Sequence, residues 1–163
     1  MYKEYPMSSL QNLVVLMARV ALSQIFILSG VNHLLNWNGT IQYMTGKGMT
    51  LESVLGNSGA IFVNVMLAGA VAFLLLGGLS VLLGIRARFG AVLLVLFLIP
   101  VTLIFHDFWN YGPKDPQHVM QMINFMKNTG LGGGALMVLV FGSGAWSLDA
   151  LLRKRQKSQP AGQ

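Results

Sequence analysis

Cysteine is missing from all 163 residues, which excludes disulfide exchange, thiolate catalysis and Cys-ligated zinc or iron–sulfur sites. Charge is almost as scarce. Charged residues make up 10% of the chain, against about 25% in an ordinary soluble domain, and only five are acidic: Glu4, Glu52, Asp107, Asp115 and Asp149. With 54% hydrophobic residues and a mean hydropathy of +0.61, the composition is that of a membrane protein. No internal repeat or nucleotide-binding motif is present, since the glycines at 130–134 have no strand before them. The net charge of +6 does not imply a nucleic-acid partner, because four of the eleven cations are gathered at Arg153, Lys154, Arg155 and Lys157, where a helix would leave lipid.

What the chain has is long uncharged runs. The first spans Asn12–Leu35; it is too long for a signal-peptide core and has no small-residue cleavage site after it. Others cover Ala60–Leu83, Phe89–His106 (with Pro100 expected to bend it) and Lys127–Asp149. Roughly 20 residues suffice to cross a hydrocarbon core of about 30 Å. The predicted fold is all-α and polytopic: a four-transmembrane-helix bundle over residues 1–157, with a disordered tail at 158–163. Short amphipathic helices are expected in the two long loops, one near Gly39–Met44. In the other, Gln117, Gln121, Asn124 and Asn128 recur at helical spacing opposite Val119, Met122, Ile123 and Met126, which reads as a helix lying on the membrane surface. Placing both termini in the cytoplasm puts Lys3, Arg86, Arg88, Arg153, Lys154, Arg155 and Lys157 inside, against Lys47, Lys114 and Lys127 outside.

Arg19 lies about two turns inside the first span, where a charge costs about 2.5–3.5 kcal/mol at the helix centre. Asn12, Arg19, Ser23, Phe26, Gly30 and His33 follow one another at spacings of seven, four, three, four and three, so they share a face that should point into the bundle. Elimination among the five acids leaves Asp149 as the expected partner, in a structural Arg19–Asp149 charge pair. Snorkelling of Arg19 to the headgroups is the alternative.

His33, His106 and His118 fall at one membrane face in this topology. They are the candidate ligands for a metal, or for haem held from two sides, although no spaced ligand motif accompanies them. At the same level Asn32, His33, Trp37, Tyr43, His106, Trp109, Lys127 and Asn128 combine aromatic walls with hydrogen-bonding groups, a set that fits a quinone ring and that belt residues also produce. Lys127, at the expected start of the fourth span, opposes the helix dipole and calls for an anionic neighbour.

Several stretches, taken in order, carry a resemblance. Arg19 with Phe26-Ile27-Leu28-Ser29-Gly30, then Leu83-Gly84-Ile85-Arg86, His106-Asp107-Phe108-Trp109 and Phe125-Met126-Lys127-Asn128 are followed by Gly132-Gly133-Gly134 and Gly142-Ser143-Gly144-Ala145-Trp146-Ser147-Leu148-Asp149. Together these resemble the DoxX family of small bacterial membrane proteins. The resemblance implies an inner-membrane location and an association with redox systems, including thiosulfate oxidation coupled to quinone and oxidative-stress complexes. It points to a membrane subunit or anchor working with a partner oxidoreductase, not to a complete enzyme, since no flavin, thiol or cluster motif is present. The alternatives are a small-molecule or ion transporter assembled as a homo-oligomer, and a scaffold that recruits a partner through its loops.

Overall fold

The computed structural model describes residues 8–47 and 58–158. Its helices are α1 (Ser9–Leu35), α2 (Trp37–Gly46), α3 (Ser58–Leu83), α4 (Ala87–Phe105), α5 (Pro116–Phe141) and α6 (Leu148–Ser158), with a single 3-10 turn at Phe108–Asn110. There is no strand among the described residues. The polar lead with Lys3 and Glu4, the loop segment holding Glu52, and the expected tail beyond 158 lie outside the described residues.

The sequence dictates α1 at both ends of its logic. A reciprocal cap starts it: Ser8 Oγ accepts from the Gln11 amide and Gln11 Oε1 accepts from the Ser8 amide. Its buried residues are Asn12, Arg19, Ser23, Phe26 and Gly30, with Leu28 and Leu35 turned outward. Polar groups inside and large apolar groups outside is the arrangement of a helix whose solvent is hydrocarbon. Three stretches, Ser9–Leu35, Gly59–Leu83 and Ala87–Asn110, are long and apolar enough to span a membrane.

Neighbouring long helices run antiparallel. Arg19 meets Val81 and Gly30 meets Leu74, which aligns α1 with α3; Gly77 meets Gly90 and Leu94, which aligns α3 with α4. Arg88 reaches Val140 while His106 reaches Gln121, which aligns α4 with α5. The order is therefore a row, α1–α3–α4–α5, and α1 and α5 barely touch. A buried cluster of Phe26, Leu74, Val81, Ala91, Leu94, Leu98 and Ala135 joins all four long helices. A second cluster, Met44, Val63, Leu67, Val71 and Phe105, seats α2 across α3 and α4.

The fourth long helix departs from the sequence reading. It covers Pro116–Phe141 instead of Lys127–Asp149, starting at an Asp115 cap that accepts from the Gln117 amide. Its 26 residues make about 39 Å at 1.5 Å per residue, the length of a span, but its polar first half keeps it out of the set of helices that are also apolar enough to cross. The segment expected on the membrane surface is thus the first half of α5. Its polar side faces the bundle, burying Gln121 and Asn128, while Val119, Ile123 and Met126 face outward. The helix stops early because Gly142 takes φ 79° and ψ −161°, a region essentially closed to residues with a Cβ. Lys127 accordingly lies mid-helix, exposed and donating to Asn124 Oδ1 at 3.0 Å, and no helix end calls for an anion beside it. Pro100 sits within α4, which continues to Phe105.

Candidate functional site

Polar groups gather at the two ends of the bundle. At the end that carries α2, a cavity of 170 Å³ lies among α1, α2, α3 and α4. Leu67, Phe97, Val101 and Phe105 supply apolar walls; His33, Thr40, Tyr43 and His106 supply the polar ones. Tyr43 stacks on Phe105 with centroids 5.7 Å apart.

The hydrogen bonds fix what the two imidazoles present. Thr40 Oγ1 donates to the Asn36 carbonyl at 2.9 Å, so it accepts from His33 Nδ1 at 3.2 Å. His106 Nδ1 bonds Gln121 Oε1 at 2.9 Å, and an amide oxygen only accepts. In their neutral forms both rings carry the proton on Nδ1 and keep Nε2 as an acceptor. Among the described residues no hydrogen bond occupies either Nε2.

A clasp closes this end. Lys47 Nζ, at the end of α2, donates to Asp107 Oδ1 at 2.6 Å and to Tyr111 Oη at 2.8 Å, and Asn110 donates to Asp107 Oδ2. Burial disfavours the ammonium, but the bonds to Asp107 and Tyr111 and the charge of Asp107 outweigh it, so the Lys47 pKa is raised.

The opposite end is organised by Arg19, which is 3% exposed. Its Nε donates to the Val81 carbonyl at 2.9 Å and Nη2 to that of Leu82; Nη1 donates to the carbonyls of Ser143 at 2.9 Å and Trp146 at 2.7 Å. Val81 and Leu82 belong to the last turn of α3, where carbonyls lack helical partners and the dipole favours a cation. The expected Arg19–Asp149 pair is therefore not formed. Backbone carbonyls answer the guanidinium, and Asp149 Oδ2 accepts from the Arg86 amide at 2.7 Å while its own amide donates to the Gly84 carbonyl. Gly84 is required between them: at φ +67° a Cβ there would lie 2.8 Å from Arg19 Nη2 and 2.5 Å from Ser147 Cβ. Where α1 and α5 part, a largely apolar cavity of 550 Å³ lined by Ala18, Leu22, Met137 and Val138 reaches Arg19.

Of the residues singled out for a ring pocket, the structure brings His33, Tyr43 and His106 together and disperses the rest. Asn32 is exposed on the far side of α1, beside Leu28 and Ser29. Trp37 donates to Asn64 Oδ1, and Trp109 packs edge-on against Phe108 and Phe125. Asn128 lines an apolar groove between α4 and α5 with Thr102 and Gly132. Nor do the three histidines form a metal centre: His118 Nδ1 is bonded to the Tyr111 carbonyl, and no group of three or more His, Asp or Glu lies together among the described residues. Sequence reasoning passed over Thr40 and Gln121, which orient the imidazoles. Gln121 stands out in the sequence by its spacing with Gln117, but on a helix lying on the membrane surface that spacing marks only a polar side and not a partner for an imidazole.

An all-α polytopic bundle with buried polar groups and lipid-facing apolar surfaces is an integral membrane protein. The chain belongs to the DoxX family, whose family model matches residues 14–107. It is similar to the inner membrane protein YphA of Escherichia coli (strain K12), 30% identical over 143 residues that cover 83% of this chain and 88% of YphA. Inner membrane protein YqjF of the same organism is 29% identical over 149 residues, covering 91% of this chain and 99% of YqjF. The SURF4 family model also matches, over residues 61–156. No solved structure matches the chain.

Proposed function

We propose that the chain is an inner-membrane subunit or anchor of a redox system, that its α2-end cavity takes a quinone or quinol ring, and that a partner oxidoreductase supplies the electron transfer. The observation that carries this reading is the pair of imidazoles on one apolar, aromatic-walled cavity, each held by a hydrogen bond at Nδ1. A quinol hydroxyl donates to a neutral Nε2; a quinone carbonyl accepts from a protonated one. His33 and His106 thus suit the protons that quinol oxidation releases, one per hydroxyl, while the two electrons leave to the partner. The names of YphA and YqjF as inner membrane proteins support the location, and the distribution of cations supports cytoplasmic termini. Passage of a solute receives less support, since Phe26, Leu74, Leu94 and Leu98 pack between the two ends of the bundle.

The test is a titration of the purified full chain in detergent with a short-tailed quinone, followed by quenching of tryptophan fluorescence. Saturable binding that is lost in Leu67→Trp, which fills the cavity, and weakened in His106→Leu supports the reading. Equal quenching of all three proteins, or none, overturns it.

A further inference from the structure

We propose a second, independent ligand site at the α6 end, one that holds the phosphate of an anionic phospholipid. Between the start of α4, the end of α5 and the first turns of α6 lies a cavity of 720 Å³, lined by Arg86, Arg88 and Arg153 together with Asp149, Phe89 and Phe141. Three arginines and one carboxylate line it. Asp149 Oδ2 accepts from the Arg86 amide, and one carboxylate against three arginines leaves the basin net cationic. Arg88 Nη2 donates to the Val140 carbonyl at 3.2 Å, which uses one of its five donors and leaves the rest available. Guanidinium groups recognise phosphate oxygens through paired N–H donors.

Two further features distinguish this basin from a scatter of surface charge. Arg86 has φ 45° and is the one non-glycine residue with positive φ among the described residues. Glycine or asparagine suits such a position better, so the backbone gives no reason of its own for an arginine there. The rim is also apolar: Phe89 is 62% and Phe141 72% exposed, both flanking the basin on lipid-facing helices. Phosphate at the arginines with acyl chains descending past the two phenylalanines matches an amphipath, where a free anion would leave the aromatic rim without a role. The site shares no lining residue with the α2-end cavity, so either assignment can fail without the other.

Native mass spectrometry of the detergent-purified full chain tests it, with dioleoyl phosphatidylglycerol, dioleoyl phosphatidylcholine and inorganic phosphate as the probes. The expected result is preferential retention of phosphatidylglycerol, with Arg86→Gly and Arg153→Gln each weakening it about fivefold and neither changing retention of phosphatidylcholine. Arg86→Gly suits the turn, so its thermal midpoint should not fall, which separates lost binding from lost folding. Equal retention of the two lipids, or phosphatidylglycerol binding unchanged in both variants, overturns the site. Displacement of the lipid by millimolar phosphate overturns the lipid assignment in favour of a soluble anion.

Discussion

Arg19 illustrates how a membrane protein keeps a charge inside with backbone carbonyls and, among the described residues, no counter-ion. Four carbonyls from two separate segments surround the guanidinium, and hydrogen bonds to a charged group each contribute about 1.5–3 kcal/mol. Arg19→Ala should destabilise the protein by about 3 kcal/mol or more, read as unfolding in detergent. Arg19→Lys should restore less than half of that, because a single ammonium cannot span the four acceptors. The charge exchange of Arg19→Asp with Asp149→Arg should give no recovery over the single variants, as the two side chains answer different backbone groups. The sequence showed that Arg19 faces inward, since the spacing from Asn12 to Gly30 allows only one buried face. Its partners were not legible there: carbonyl oxygens belong to every residue, and composition cannot mark the ones that a turn aims at a cation.

The long helices followed from their apolar runs, and α5 shows where that signal stops. A run of uncharged residues continues past Phe141, yet the helix ends there because of backbone geometry at Gly142, which hydropathy does not register. Gly142→Ala should cost about 1–3 kcal/mol and displace the loop whose Ser143 and Trp146 carbonyls hold Arg19. Thermal unfolding of Gly142→Ala combined with Arg19→Ala should therefore show less than additive loss. The polar face of the first half of α5 misled for a related reason. In water Gln117, Gln121, Asn124 and Asn128 would mark the outside of a helix, whereas in lipid the polar side is the one that needs protein around it. Of the ring pocket, His33 and His106 stand at the ends of α1 and α4 and Tyr43 lies within α2; Asn32, Trp37 and Trp109 point elsewhere, and Lys127 and Asn128 lie midway along α5, none of which depth along an apolar run can tell.

For the molecule as a whole, the clasp of Lys47 on Asp107 and Tyr111 ties α2 to the loop between α4 and α5. Because the folded-state pKa of Lys47 is raised, its contribution is fully present below the ordinary lysine value of 10.5 and is lost as pH rises through the higher folded value. The thermal midpoint of the wild type should exceed that of Lys47→Met at neutral pH, and the gap should close in the alkaline range above 10.5. Sidedness can be tested because the chain holds no cysteine. With cytoplasmic termini, an impermeant thiol reagent on intact spheroplasts should label Lys114→Cys and should label Arg153→Cys only after permeabilisation; the reverse pattern would invert the topology.

The Arg19 contacts also impose an order on biosynthesis. Two of its acceptors lie 62 and 63 residues further along, the other two 124 and 127. At about 5–20 residues per second, the first helix waits on the order of ten seconds after its own insertion before the ribosome has made Ser143 and Trp146. During that interval the guanidinium is only half satisfied. A chain halted at Phe141 would keep every long helix and still lack the last two acceptors, so it should be cleared by membrane proteases faster than the full-length product in a pulse-chase.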